Sequence, residues 1–176
     1  EAFLDFLKAE LPEVFEKVDV QTWIYKPGMP DPDTWHRPKS RLFDEVQQVL
    51  KDYQQGIKPT KVQVQNWHRY QTLSFLQGLP RQIPVEDCQY FANILELDKQ
   101  NDVAFFSHFY VTCVTSGYEE SLPRIEGFMK KIGRMLYILP IVRAMIETDW
   151  SRAKIRPLFE RVRDRQVPRV VLEVGR

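Results

Sequence analysis

The chain has 176 residues, 43% of them hydrophobic and 12% aromatic, with 25 Lys/Arg against 24 Asp/Glu. That length and composition suit one folded domain with a substantial core and exclude a disordered chain. The net charge of +1 hides an asymmetry: residues 124–176 hold 13 Lys/Arg against 6 Asp/Glu, and the first 123 hold 12 against 18. The signs are mixed along RAKIRPLFERVRDR, so this basic third reads as a solvated helical face and not as a nucleic-acid surface. The apolar run near Met135 to Met145 is interrupted by Arg143 and is too short to span a bilayer. No signal peptide is visible, because the first residues are amphipathic and acidic. Cys88 and Cys113 lie 25 positions apart without a CxxC motif. They are expected to be buried, reduced thiols of a cytoplasmic protein.

Only 7 glycines are present, and strict apolar/polar alternation is confined to short runs such as Val62 to Gln65. Helices are therefore expected in place of a sheet. Ala2 to Val18 forms one or two short amphipathic helices with Phe3, Phe6, Leu7 and Leu11 on one face. A start this apolar, without an initiator methionine, looks like a piece cut from something longer. Val18 to Ser40 carries Pro27, Pro30, Pro32 and Pro38 and reads as an extended connector. Its Trp23, Ile24, Tyr25 and Trp35 are too apolar for a free linker, so it should lie against a neighbouring surface.

A procession of helices follows. Ser40 to Gln55 is amphipathic through Leu42, Phe43, Val46, Val49 and Leu50, and stops at Gly56. Asn66 caps a helix to Gln77, with Gly78 behind it. Pro84 suits the first turn of a helix through Leu97, and Glu86 and Asp87 favour its N-terminus. Asn101 or Asp102 starts a helix whose Val103, Phe106, Tyr110 and Cys113 form a stripe, ended by Gly117. Leu122, Ile125, Met129 and Ile132 define the next. Met135, Ile138, Leu139, Val142 and Ile146 define another, and a last helix runs from Asp149 to about Arg165. The short gaps make neighbours antiparallel hairpins. The expected fold is all-α, an αα superhelix of antiparallel helix pairs of the HEAT or armadillo kind.

His36, His68 and His108 stand apart, and no HExxH, Cys/His cluster, P-loop, GxSxG or GxGxxG occurs. His108, between Phe106 and Tyr110, reads as a core or boundary histidine. Nothing here can catalyse a reaction alone. The informative junction is Gly133-Arg134. Gly133 sits where a helix would end in a left-handed residue, after Lys130 and Lys131 in a last turn that suits cations. Arg134 starts the next helix, where free N–H groups make a cation electrostatically unfavourable. The pattern leaves two readings open: a solvated arginine in a tight turn, or half of an anion site.

Three motifs in this order resemble the leukotriene-A4 hydrolase and aminopeptidase B group of zinc aminopeptidases. Trp23-Ile24-Tyr25-Lys26-Pro27-Gly28-Met29-Pro30 is similar to that family's W-hydrophobic-Y-x-PG-hydrophobic-P connector. Phe105 to Gly117, with Tyr118-Glu119-Glu120-Ser121-Leu122-Pro123 behind it, is similar to a helix pair carrying W-E-D-A-hydrophobic-P. Gly133-Arg134-Met135 looks like the G-R-M motif, with Tyr137 and Pro140 in the usual places. The resemblance covers nearly the whole chain and implies the C-terminal helical domain of a bacterial-type member.

Residues 1–19 would then be the tail of the preceding catalytic domain, 20–39 the connector and 40–176 the superhelix. The resemblance implies zinc in the parent enzyme but no cofactor in this stretch, because the family's zinc motif lies upstream. It implies two partners: the catalytic domain of the same polypeptide, and a peptide substrate held by its C-terminal carboxylate on Arg134. Gly133, Met135 and Tyr137 support that arginine as motif residues. No nucleic-acid or membrane partner is expected. Leu136 stands where some relatives have a second cation, so this site should hold a carboxylate less tightly and be looser in substrate choice. The competing expectation is a stand-alone helical-repeat scaffold that binds a protein partner.

Overall fold

The computed structural model describes residues 2–28 and 40–165. The chain divides into two compact units, Glu1–Ser40 and Arg41–Arg176. In the first unit the helices are α1 (Ala2–Glu10), α2 (Val14–Lys17) and α3 (Val20–Tyr25). Helix α3 replaces the extended start expected for the connector. Its cause is a local cap: the Asp19 carboxylate accepts from the Thr22 N–H at 3.1 Å and from the Thr22 hydroxyl at 2.6 Å. The helix ends where Lys26 turns extended, as the residue before Pro27 must. Trp23, Ile24 and Tyr25 are exposed. Met29, Pro30 and Trp35 lie outside the described residues, as do 166–176.

The second unit holds α4 (Arg41–Gln54), α5 (Lys61–Val64), α6 (Arg69–Gly78), α7 (Val85–Ile94), α8 (Val103–Thr115), α9 (Leu122–Lys131), α10 (Met135–Glu147) and α11 (Asp149–Glu160). Helix α4 packs on α6, α6 on α8, and α8 on α10, so every second helix joins one layer. Helices α7 and α11 pack on α8 and α10 respectively. This alternation is the two-layer αα superhelix expected from the short gaps, and no strand occurs among the described residues.

Sequence patterns and structure part company at several turns. The Val62–Gln65 alternation is helical, because Thr60 and Gln63 form a reciprocal capping box. His68, and not Asn66, caps α6, with Gln71 closing the box. Gly78 is the last residue of α6 and not the residue behind it; a Cβ there would overlap the Leu50 side chain, so its smallness lets α4 approach. Helix α7 ends at Ile94, short of Leu97, which opens a separate 3₁₀ turn.

Positive φ occurs at Gly56 (87°) and Gly117 (79°), which end α4 and α8 in the left-handed manner. Gly133 does not take it; α9 ends through Ile132 in extended geometry (φ −114°, ψ 116°). Faces also shift. In α4 only Val46 and Leu50 are fully buried, while Leu42 and Phe43 are exposed. In α8 burial extends to Phe105, Phe109 and Val114, and Phe106 is only partly covered.

Cys88 and Cys113 are free and buried, as expected for core thiols. They meet between α7 and α8, where burial pushes the Cys113 thiol up and a hydrogen bond from Cys113 lowers Cys88. Phe75 anchors one end of the core, its ring 5.3 Å from both Trp67 and Phe91. With 0% exposure, Phe75→Ala should destabilise the chain by about 3–5 kcal/mol. Val62→Ala, at 73% exposure, should stay within about 0.5 kcal/mol. Urea unfolding of the two variants checks both.

Candidate functional site

Arg134 occupies the N-cap of α10 with φ −70° and ψ 117°. Its carbonyl accepts the first helical bonds, from the N–H of Tyr137 at 3.0 Å and of Ile138 at 3.3 Å. No side chain caps the helix. Among the described residues, the N–H groups of Met135 and Leu136 therefore have no acceptor, and they face outward with the helix dipole behind them. The Arg134 side chain is exposed, and no carboxylate among the described residues pairs with it. It lies instead with its guanidinium carbon 5.5 Å from the centre of the Tyr137 ring. That contact is a cation–π interaction, which limits the rotamers of a long side chain while leaving its N–H fork unsatisfied. Met135 (37% exposed) and Leu136 (61%) complete an apolar rim. The four motif residues thus form one turn with a surplus positive charge, Arg134 and Met135 exposed and Gly133 and Tyr137 half-buried.

One feature loosens this turn and another holds it in place. Pro140 lies inside α10 and lacks the N–H that would bond back one turn, which weakens the ladder there. Ser107, buried in α8, donates its hydroxyl to the carbonyl of Tyr137 at 2.8 Å. The site is therefore tied to the central helix through a side chain that periodicity did not flag. Its signal is nonetheless present: Ser107 is a small polar residue set between Phe106 and His108 in a helix without Asp, Glu, Lys or Arg.

His108 is half-buried in α8 and its Nε2 lies 3.1 Å from the Gln77 amide nitrogen. The amide donates, so the imidazole accepts and is neutral, and burial lowers its pKa below the usual 6.5. It is a boundary residue. Asp87 differs from its expected role as a solvated first-turn acid. It is buried, pairs with the Lys58 ammonium, and accepts the Tyr53 hydroxyl at 2.7 Å. Among the described residues no three His, Cys, Asp or Glu side chains come together as metal ligands. A zinc ion therefore has no ligand set among them. No described helix is long and apolar enough to cross a membrane.

The fold and the turn define a class: an αα-superhelical domain that presents a ring-braced arginine at a helix start. The family described as "Leukotriene A4 hydrolase, C-terminal" matches residues 67–174, and the chain belongs to it. Leucine aminopeptidase 2 of Neosartorya fischeri is 25% identical over 167 residues, covering 92% of this chain and 27% of that protein. The leucine aminopeptidase 2 of Aspergillus clavatus is 26% identical over 156 residues, covering 85% and 25%. The solved structure of native yeast leukotriene A4 hydrolase superimposes with a TM-score of 0.72 at 21% identity, covering 99% of this chain and 32% of that one. The chain thus spans about a quarter of the curated relatives it matches.

Two measurements probe the surroundings of the turn. Ser107→Ala should leave the Tyr137 carbonyl short of a donor and cost about 1–3 kcal/mol in urea unfolding. For His108 the folded pKa is depressed, so the unfolded state binds more protons as pH falls below 6.5. Stability should be full above that pH and decline below it until the folded state also protonates. The decline should be shallower in His108→Gln, compared by urea midpoints across the acid range.

Proposed function

We propose that this chain is the C-terminal domain of a zinc-dependent aminopeptidase, that it closes one side of the substrate cavity, and that Arg134 holds the C-terminal carboxylate of the peptide. In this reading the chain is inactive alone and works with the catalytic domain of the same polypeptide. Family membership supports the parent activity. The observation that carries the site is the Arg134 guanidinium, exposed, without a carboxylate partner among the described residues, and braced on Tyr137.

A guanidinium presents a planar fork that matches two carboxylate oxygens, and it stays charged throughout the accessible pH range. The free N–H groups of Met135 and Leu136 add positive potential at the same turn. Bracing on Tyr137 reduces the rotamer freedom lost when the carboxylate docks. A charge pair at the far end of the peptide does not touch the scissile bond, so its contribution is positioning. Amide analogues of the carboxylate lack the charge and should use the fork poorly. Leu136 supplies no second cation, which leaves the pair dependent on one arginine.

The test uses the chain joined to its catalytic domain. Losing one partner of a buried hydrogen-bonded charge pair costs about 2–5 kcal/mol. Arg134→Ala should therefore lower kcat/KM for tripeptides with a free carboxylate by roughly 30- to several-thousand-fold. Carboxyl-amidated tripeptides should lose far less, and Arg134→Lys should fall between. Equal losses for free and amidated peptides would make Arg134 a structural residue and defeat the assignment.

A further inference from the structure

A second site lies away from the Arg134 turn. A cavity of about 400 Å³ opens between the start of α8, the 3₁₀ turn at Leu97–Lys99 and helix α9. Its apolar wall includes Phe106 and Phe128. Tyr110 also lines it, with its ring stacked on Phe106 at 5.8 Å and edge-on to Phe128 at 5.5 Å. The Tyr110 residue is only 6% exposed, yet its hydroxyl has no hydrogen-bond partner among the described residues. That oxygen is not among the sealed, unpartnered polar atoms of the described residues, and Tyr110 lines the cavity. A buried ring with an unused hydroxyl is uncommon, because a tyrosine hydroxyl normally finds a partner when the rest of the residue is buried.

Gly127 explains how the space persists. It lies within α9 on the cavity wall, and a Cβ built there meets nothing within 4 Å. Glycine in a helix interior costs about 1 kcal/mol relative to alanine. Here the gap is not required by close packing, and its effect is to keep the cavity open. The rim carries Arg124, Lys131 and Asp98. Arg124 is paired with Asp98 at 2.9 Å, whereas Lys131 has no carboxylate partner among the described residues. The rim therefore has one surplus positive charge over an aromatic floor.

We propose that this cavity is a binding site for a small monoanion with a flat apolar body, an aryl-alkanoate in its simplest form. The body lies against Phe106 and Phe128 in the space left by Gly127. The Tyr110 hydroxyl donates to a carboxylate oxygen, and Lys131 neutralises the charge at the rim, with Arg124 flanking it. A single surplus cation selects a monoanion over a dianion. The volume falls in the lower range of small-molecule sites, which suits one ring and a short chain. Neither Arg134 nor Tyr137 lines this cavity, so the proposal stands independently of the peptide-carboxylate site.

The probe is 3-phenylpropionate, titrated into the isotopically labelled 176-residue chain and followed by amide chemical shifts. Saturable shifts are expected within α8 and α9, with a millimolar or tighter Kd. The neutral 3-phenylpropionamide should bind roughly tenfold more weakly, as the loss of one charge-assisted contact implies. Lys131→Gln should erase most of that preference. Tyr110→Phe should weaken the carboxylate severalfold without lowering stability, since the hydroxyl has no partner to lose. Gly127→Leu fills the space and should abolish binding while the helical circular dichroism is retained. Three results would overturn the proposal: no saturation at about 10 mM ligand, carboxylate and amide binding alike, or Lys131→Gln and Tyr110→Phe leaving the carboxylate affinity unchanged.

Discussion

The hydrogen bond from Ser107 to the Tyr137 carbonyl ties the first turn of α10 to the most buried of the described helices. Helix α8 contains no Asp, Glu, Lys or Arg and contacts α6, α7 and α10. Such a helix has no polar face to offer water, so it must be surrounded. Its polar groups are then committed internally. Ser107 bonds to α10, Thr115 to the carbonyl of Arg81, and the carbonyl of Val114 accepts the Trp150 indole at 2.9 Å. These bonds run from the second turn of the helix to its C-terminal end and reach three different segments. Apolar burial supplies most of the driving force, but it is indifferent to small slides and rotations. The directional bonds fix the register of α10 against α8, and with it the place of Arg134.

A second directional anchor sits at the other end of the domain. The buried Asp87 carboxylate joins α7 to Tyr53 of α4 and to Lys58 in the following turn. The hydrogen bond to Asp87 raises the Lys58 pKa, and burial together with the carboxylate raises that of Tyr53. Only the carboxylate of this pair is buried and Lys58 is exposed, so the pair is poor evidence of net stability, because desolvating Asp87 offsets the Coulomb attraction. Its effect is specificity: α4 and α7 can meet in one register without stranding a charge. The surface pairs differ. Glu126 lies between Lys130 and Arg161, at 2.7 Å from each, and its pKa falls to about 2 mainly through Arg161. Being at the surface, that clamp between α9 and the end of α11 is weakened by salt.

How far the sequence could be read follows from the range of each interaction. Helix existence was legible in Val46/Leu50, Ile125/Met129 and Ile138/Val142, because a repeat within one helix needs no knowledge of neighbours. Caps were legible only where one side chain decides, as at Asp102. At His68 and Thr60 two residues act reciprocally, and a weaker single-residue signal at Asn66 pointed elsewhere. Asp87 looked like an ordinary first-turn acid because its partners lie 29 and 34 positions back in the chain. Gly133 was expected to be left-handed on glycine's own preference, yet extended Ile132 already ends α9. The candidate site residue, Arg134, was visible through its unfavourable place at a helix start. Its bracing ring was visible as Tyr137, but the bond that holds that ring's backbone was not.

The placement of Arg134 also separates two demands that conflict in most domains. A cation beside free N–H groups opposes the helix dipole and is mildly unfavourable for folding. In the core that conflict would be severe; in an exposed turn, water screens it to a fraction of a kcal/mol. The turn can therefore carry an unpaired charge while α8 and α10 remain tightly packed behind it. Position 136 shows the same freedom, since Leu136 projects from the surface and makes little demand on the core. A cation or a leucine can stand there without repacking any neighbour. Charge at this turn can thus vary within one unchanged scaffold, and the electrostatic potential there is set by residues that contribute almost nothing to holding the fold together.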